Sequence, residues 1–178
     1  MCAKINNRKT LHQSRVFTLI SENITLSNGV TTDLVIIRHP GASAIIPITA
    51  GNRVVMIHQY RHAVGGYIWE IPAGTFNAGE APIVCAKREL IEETGYSAGS
   101  WQKLGEIIPV PGYSDERIHM FLADDLMPAV QNLDSDEMLD VHQIRFDDAM
   151  DMIRKGEIQD SKTISGLFMA RQHLEGKR

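Results

Sequence analysis

The chain has 178 residues, of which 43% are hydrophobic and 22% are charged, and its formal net charge at pH 7 is −4. This length suits one domain of ordinary size with a core of its own. The acidic balance argues against nucleic-acid binding as the main task, because nucleic-acid-binding domains usually carry a basic face.

Cysteine usage and apolar runs predict a reducing, cytoplasmic setting. The two cysteines, Cys2 and Cys85, form neither a disulfide framework nor a CxxC metal pattern. The N-terminal stretch MCAKINNRKTLHQSR lacks the apolar segment of a signal peptide. No apolar run approaches the length of about 18 residues that a membrane-spanning helix needs.

The first half of the chain is predicted to consist mostly of strands. Residues 1–15 are polar and basic, and we expect them to be loose. Residues 16–37 have the pattern of a hairpin that turns at SNG, residues 27–29. Turn residues and short apolar runs indicate further strands at residues 43–49, 53–61 and 67–74.

The hydrophobic period becomes helical over residues 82–94, where Pro82 is tolerated in the first turn and Gly95 marks the end. Later strands are predicted at residues 101–110, 117–126 and 141–146. Amphipathic helices follow at residues 147–156 and 161–174, the second with Ser161 as its N-cap. Runs of strands with one central helix and two final helices predict an α+β sandwich rather than a doubly wound sheet.

Three glutamates crowd the end of the central helix. Glu89, Glu92 and Glu93 lie within RELIEETG, three or four residues apart, and so share one helix face. Like charges at this spacing repel by a few tenths of a kcal/mol per pair. Either this face is freely solvated or a cation offsets the repulsion. Hard cations such as Mg²⁺ or Mn²⁺ prefer oxygen ligands and share them with phosphates.

The glutamates belong to a longer spaced pattern, G-x5-E-x7-R-E-L-x-E-E-x-G, which runs from Gly74 to Gly95. This pattern resembles the Nudix box, the signature of hydrolases that cleave a nucleoside diphosphate linked to another moiety. Every charged and glycine position of the box is filled. The one departure is Tyr96, where the family usually has an aliphatic residue that packs rather than reacts.

The resemblance implies a Mg²⁺-dependent or Mn²⁺-dependent enzyme. Glu89 and Glu93 would be the principal metal ligands, and Glu92 would assist them as a further metal ligand and in catalysis. The backbone carbonyl of Ala73, just before the box glycine, would be a further ligand. Two other box residues usually hold the loop and the helix in place, namely Glu80 and Arg88.

The flanking stretches resemble the ADP-ribose pyrophosphatase branch of the family. They are QYR (59–61), WEIPAG (69–74), PVPGYSDERIHMFLA (109–123) and GEIQDSKTISGL (156–167). This likeness implies hydrolysis of ADP-ribose to AMP and ribose 5-phosphate. It also names candidate substrate contacts, which are Arg61, Trp69, Glu70, Gly112, Ser114 and Glu116.

Each of these contacts has a plainer alternative. Arg61 ends an apolar strand and can be a surface charge rather than a ligand for phosphates or base. Trp69 can belong to the core rather than stack on adenine. The Gly112 turn contains small residues that would allow a close approach to the ribose or the phosphates.

The catalytic base is expected in the acidic loop NLDSDEMLDVH, residues 132–142. By the resemblance, the base of this branch comes from a loop beyond the PG turn. We predict Glu137, which lies just before the final strand, with Asp136 as the runner-up and Asp134 as a third acid. An ordinary acidic surface loop is the alternative for all three.

The resemblance implies a Nudix α/β/α sandwich, with an N-terminal strand segment at residues 1–40 and the Nudix domain at 41–178. Members of this branch are commonly homodimers in which the N-terminal segment helps to build the partner's site. We expect a small nucleoside diphosphate substrate and neither nucleic acid nor membrane as a partner. Two alternatives remain: a pyrophosphatase of GDP-mannose or another nucleoside diphosphate sugar, and a non-catalytic ADP-ribose sensor. A hydrolase of oxidised nucleotides is disfavoured, because that branch lacks the PG turn.

Overall fold

A computed structural model of the chain describes residues 3–176, so Cys2 and the extreme ends of both predicted segments lie outside the described range. The chain divides into two compact units, Met1–Gly41 with Ile108–Arg117 and Ala42–Ile107 with Ile118–Arg178. The boundary predicted after residue 40 assigns residues 108–117 to the Nudix domain, whereas here they group with the N-terminal segment. The functional division of the chain stays a prediction.

The first unit contains an antiparallel sheet in chain order, formed by β1 (Lys4–Gln13), β2 (Thr18–Thr25) and β3 (Thr31–Arg38). The predicted hairpin is confirmed. Gly29 has a φ of 82°, which glycine adopts without steric cost, and the Leu26 N–H donates to the Val30 carbonyl at 2.8 Å.

The expectation that residues 1–15 are loose is wrong for Lys4–Gln13, whereas Met1 and Cys2 lie outside the described residues. Residues of β1 pair with β2 from Lys4↔Thr25 to Gln13↔Thr18. Every residue of β1 is exposed, so no alternation of apolar and polar side chains marked it as a strand. Backbone pairing and cross-strand contacts hold it instead, including Arg8 Nε donating to Glu22 Oε1 at 2.6 Å.

The second unit contains two sheets. One has the order β10 (Leu139–Arg145), β5 (Arg53–Arg61), β6 (Gly66–Glu70), and all its pairs are antiparallel. The other is mixed and has the order β7 (Ala73–Thr75), β4 (Ala42–Pro47), β9 (Ile118–Pro128), β8 (Tyr96–Ile107). Its central pair, β4 with β9, is parallel.

Three helices complete this unit: α1 (Pro82–Thr94), α2 (Phe146–Lys155) and α3 (Ser161–Glu175). The bounds of α1 are those predicted, and Gly95 ends it with a left-handed φ of 70°. The predicted Ser161 cap is wrong, because Asp160 is the N-cap and its side chain accepts from the Thr163 N–H. No helix within residues 3–176 is long and apolar enough to cross a bilayer.

The mixed sheet is buried on both faces. Successive side chains of a strand point to opposite faces, and Ile45 of β4 packs with Ala86 and Leu90 of α1. Ile46 belongs to a separate cluster that includes Leu167 of α3. Helices therefore cover the two faces of this sheet, which confirms the α+β class and the predicted α/β/α sandwich.

Candidate active site

The three glutamates predicted to bind metal lie in the C-terminal half of α1. Glu89 and Glu93 are four residues apart, and only 8% and 2% of their surfaces are exposed. Glu92 is half-buried. The helix therefore turns two of its carboxylates into the protein, where ionised groups are costly unless a charge or a hydrogen bond compensates them.

Glu93 is hydrogen-bonded to the short strand β7. Its Oε2 accepts from the Ala73 N–H at 2.9 Å. Burial and the neighbouring charge of Glu89 raise the pKa of Glu93 well above its ordinary value. The predicted ligand carbonyl belongs to this same Ala73, so a hydrogen bond links two of the predicted metal ligands.

Glu89 lies directly against Gly74. A Cβ built on Gly74 would overlap the carboxylate of Glu89. Glycine is therefore required at residue 74, because any side chain would displace the predicted ligand. Burial raises the pKa of Glu89 from 4.5 to about 7, with the charge of Glu92 adding to the effect and Arg88 opposing it.

Arg88 partly neutralises this carboxylate cluster. Its Nη1 donates to Glu89 Oε1 at 2.5 Å and to Glu92 Oε2 at 2.9 Å. Its Nε donates to Glu80 at 2.9 Å, and its Nη2 donates to the Thr75 carbonyl at 3.3 Å. These contacts join the loop after β7 to α1, as expected for the two box residues that hold the loop and helix in place.

Arg61, which is partly exposed, forms an ion pair with the buried Glu70 in the neighbouring sheet. Arg61 Nε donates to Glu70 Oε2 at 2.7 Å. Glu70 is 3% exposed, and Lys162 Nζ of α3 donates to its other oxygen. The charge of Arg61 opposes the rise in the pKa of Glu93, so the guanidinium lies within electrostatic reach of this metal-ligand candidate.

Trp69 lies on the other side of the same sheet. Adjacent residues of a strand point to opposite faces, so Trp69 is directed away from the face that carries Glu70. Its ring stacks on His58 with centroids 4.5 Å apart and meets His142 edge-on at 4.9 Å. The structure therefore does not bring Trp69 together with the carboxylates.

The acidic loop and the residue before it, Gln131, form hydrogen bonds with the end of α1. Gln131 Nε2 donates to the Glu93 carbonyl at 2.6 Å, and the Asn132 N–H donates to the Glu92 carbonyl at 3.0 Å. Farther along the loop, Glu137 accepts from the Asp134 N–H at 2.9 Å. The charge of Glu137 contributes to the raised pKa values of Glu89 and Glu93, so the predicted base lies within electrostatic reach of both predicted ligands.

The predicted contacts after the PG turn belong to the first unit. The Ser114 N–H donates to the Val110 carbonyl at 3.0 Å, and Ser114 Oγ accepts from the Glu116 N–H at 3.1 Å. Glu116 Oε1 is 3.8 Å from His39 Nδ1. A Cβ on Gly112 would meet no atom of residues 3–176 within 4 Å, so no close contact with the described part of the chain requires glycine there.

Lys162 was missed by the sequence reasoning. It lies in GEIQDSKTISGL, the stretch that resembles the C-terminal helix entry of the branch, but sequence spacing cannot reveal a partner 92 residues away. The structure shows that Lys162 contacts Glu70 and Asp160.

The donor atoms of this cluster suit a hard divalent cation. Within residues 3–176, no group of three or more His, Cys, Asp or Glu side chains is already arranged around a metal position. Arg88 Nη1 instead bridges Glu89 and Glu92. The carboxylates are nevertheless buried, crowded and hard to ionise without a cation, and all their donor atoms are oxygens, as Mg²⁺ and Mn²⁺ prefer.

Comparison with known proteins agrees with this geometry. A profile of the NUDIX domain matches residues 38–167. A methanol dehydrogenase activator from Bacillus methanolicus is 39% identical over 90% of this chain and 91% of its own length. An ADP-ribose pyrophosphatase from Bacillus subtilis is 35% identical over 88% of this chain and 85% of its own.

Two further matches extend the comparison. A GDP-mannose pyrophosphatase from Escherichia coli K12 is 34% identical over 88% of this chain and 93% of its own length. The solved structure of an ADP compounds hydrolase superposes with a TM-score of 0.87 and 26% identity, covering 99% of this chain and 96% of that one.

Proposed function

We propose, from the premise that this chain belongs to the Nudix family of hydrolases, that its substrate is ADP-ribose and that its divalent metal is Mg²⁺. The observation that carries this proposal is the pair of buried carboxylates, Glu89 and Glu93, with the Arg61 guanidinium in electrostatic reach. Anionic oxygens suited to a cation are thus within electrostatic reach of a cationic group suited to phosphate, and binding of a metal-bound diphosphate needs both. Relatives named for ADP-ribose and for ADP compounds support this choice of substrate.

The reaction adds water across the diphosphate and releases AMP and ribose 5-phosphate. Glu89, Glu93 and the Ala73 carbonyl would hold the metal, with Glu92 assisting. When bound, the ion would neutralise these carboxylates, draw charge from the diphosphate oxygens and lower the pKa of a water.

The side chains around the metal would bind the substrate and move the proton. Arg61 would bind the phosphates. Glu137 would take the proton of the attacking water, with Asp136 as the alternative base.

The remaining predicted substrate contacts have different roles in this proposal. Glu70 is fully engaged with Arg61 and Lys162, so we infer that it orients Arg61. Gly112, Ser114 and Glu116 would together bind the sugar. Trp69 would stack on adenine only if the base reached the face of the sheet opposite to the carboxylates.

A second candidate substrate is GDP-mannose, favoured by the Escherichia coli relative. The name of the Bacillus methanolicus relative describes an effect on another enzyme, so it does not choose between nucleotide sugars. A panel of ADP-ribose, GDP-mannose and other nucleoside diphosphate sugars, incubated with Mg²⁺ and resolved by chromatography, tests both candidates. AMP formed fastest from ADP-ribose supports the proposal, and faster cleavage of GDP-mannose overturns it.

We also propose that the protein is a cytoplasmic homodimer assembled through its first unit. That unit exposes apolar side chains on its strands, among them Ile5, Leu11, Leu34 and Val35. Exposed apolar surface on a sheet is typical of an interface with another chain. Sedimentation at micromolar concentration should give about twice the chain mass of 19.9 kDa. A fully active monomer would overturn the dimer.

A further inference from the structure

Residues 70–73, which run from the end of β6 to the start of β7, are each anchored by a different contact. The Glu70 carboxylate binds Arg61 and Lys162, and the Ile71 N–H donates to Thr163 Oγ1 at 2.9 Å. The Pro72 carbonyl accepts from the Ile45 N–H at 2.8 Å, and the Ala73 N–H donates to Glu93 Oε2 at 2.9 Å. This segment, residues 70–73, therefore carries one candidate ligand, Ala73, and contacts another.

Two of these anchors come from the first turn of α3. Oxygen Oδ2 of the N-cap residue Asp160 accepts from the Thr163 N–H at 2.9 Å, from Thr163 Oγ1 at 2.6 Å and from Lys162 Nζ at 3.0 Å. A hydroxyl has one proton to donate. Because Thr163 gives that proton to Asp160, its oxygen lone pairs are directed to the Ile71 N–H.

Close packing keeps this turn against the segment. A Cβ on Gly166 would lie 2.9 Å from Ile71 Cδ1 and 2.8 Å from Met120 Cε. The absence of a side chain at residue 166 thus lets α3 approach Ile71 closely. Thr163, one turn earlier on the same buried helix face, is fully buried. Both ends of the hydrogen bond between Thr163 and Ile71 are therefore shielded from water, which cannot replace either partner.

Lys162 acts on a different atom of the segment. It takes one oxygen of Glu70, and the other oxygen accepts from Arg61 Nε. Within residues 3–176 the two Nη groups of Arg61 donate no hydrogen bond. Because Lys162 binds one oxygen of Glu70, the Nη groups of Arg61 remain available for a phosphate. Without Lys162, both oxygens of Glu70 would attract the guanidinium of Arg61.

We propose that Thr163 and Lys162 are positioning residues of the active site that act by two separate routes. Thr163 fixes residues 71–73, and through them the Ala73 carbonyl and Glu93, so it sets metal affinity. Lys162 shares the charge of Glu70 and keeps Arg61 available, so it sets substrate affinity. This inference rests on the proposed function for Arg61 and the ligands, and neither residue touches the reacting atoms.

Binding of Mn²⁺ in the absence of substrate tests the Thr163 route. The electron paramagnetic resonance signal of the free ion measures how much Mn²⁺ is bound. Thr163→Val keeps the shape and removes the hydroxyl, and the Kd for Mn²⁺ should rise about 10-fold, as is usual when a group supporting a metal ligand is lost. Thr163→Ser keeps the hydroxyl and should bind Mn²⁺ like the wild type. Wild-type affinity in a folded Thr163→Val protein would overturn this route.

Melting temperatures show whether each variant folds. If Thr163→Val does not fold, Asp160→Asn replaces it, because that change weakens the hold on the same hydroxyl. A folded Asp160→Asn protein with unchanged Mn²⁺ affinity would then overturn the Thr163 route, and a raised Kd would support it.

The Lys162 route is tested with Lys162→Met, which keeps the stem and removes the charge. The KM for the nucleotide and the Kd for ADP by calorimetry should each rise about 10-fold, the loss expected for a displaced charged contact of about 1.4 kcal/mol. The Kd for Mn²⁺ should stay near the wild-type value. Unchanged ADP and KM values, or an equal loss of Mn²⁺ affinity, would overturn the route.

Arg171→Met is the matched control. Arg171 is also a cation of α3 with two carboxylate partners, Asp147 and Glu175. Its replacement should leave the Mn²⁺ affinity, the ADP affinity and the KM unchanged. A failure of the proposed substrate can be distinguished from a failure of the Thr163 route, because Mn²⁺ binding needs no substrate. If the wild type cleaves no ADP-ribose, the substrate proposal fails, and Mn²⁺ binding by the Thr163 variants still tests the Thr163 route.

Discussion

The carboxylate of Glu89 occupies the space in which a side chain at Gly74 would begin. The glycine of the box is therefore a requirement of packing between β7 and α1. We expect Gly74→Ala to push the carboxylate away and to lower kcat/KM by a factor of about 10² or more, because a misplaced metal ligand loses charge stabilisation in the transition state. Steady-state kinetics over a range of Mg²⁺ concentrations measures this loss.

Gly51→Ala is the control for this substitution. Among the described residues, a Cβ there would meet only Thr49 Oγ1, at an ordinary 3.9 Å, in the turn before β5. The control should retain its rate and its Mg²⁺ dependence. If Gly74→Ala were as active as Gly51→Ala, the assignment of Glu89 as a ligand would be wrong.

Glu93→Gln keeps the shape of the most buried glutamate and removes its charge. If Glu93 is a metal ligand, kcat should fall by a factor of about 10² or more even at saturating Mg²⁺. The exposed Glu157→Gln is a control for the loss of one carboxylate and should leave kcat unchanged. Near wild-type turnover of Glu93→Gln would remove this residue from the ligand set.

The metal-free protein should lose stability as the pH rises from about 4.5 to about 7. Burial raises the pKa of Glu89 from 4.5 to about 7, and that of Glu93 is raised in the same direction. Between these values the folded state binds more protons than the unfolded state, so the free energy of unfolding decreases with pH. One pKa unit corresponds to about 1.4 kcal/mol, so the loss should be on the order of 1–3 kcal/mol.

Denaturant unfolding of the metal-free protein at a series of pH values measures this slope. Glu89→Gln should flatten it, because the amide cannot ionise. Saturating Mg²⁺ should also flatten it, since a bound cation favours the charged carboxylates. A stability that rises with pH in this window would show that the two carboxylates ionise without penalty and that no cation is needed to balance them.

Local pattern was sufficient for the central helix and for the shared face of its glutamates. The bounds of α1 follow from its hydrophobic period, from Pro82 in the first turn and from the left-handed Gly95 at its end. The same spacing placed Glu89 and Glu93 on one face. Both conclusions depend only on residues within one helix, where sequence separation fixes spatial separation.

Long-range contacts could not be derived from the sequence in the same way. The strand β1 is exposed on both faces and depends on pairing with β2, so its composition resembled that of a loose end. The contact between Lys162 and Glu70 joins residues 92 positions apart. The opposite orientations of Trp69 and Glu70 needed the strand register, because the stretch WEIPAG does not show which face meets α1.

The last prediction concerns Glu137 as the base. A base acts in the chemical step, so Glu137→Gln should lower kcat strongly and leave KM and Mg²⁺ dependence nearly unchanged. Asp136→Asn should do much less. The acidic limb of the pH–rate profile distinguishes the origins of the effect. If Glu137 is the base, the limb should disappear in Glu137→Gln. If the limb instead reports protonation of Glu89, it should persist and move to lower pH, because the charge of Glu137 helps to raise that pKa. A variant that keeps both its rate and its acidic limb would show that Glu137 is only a surface charge, and the base would then have to be sought in Glu116 or within the box.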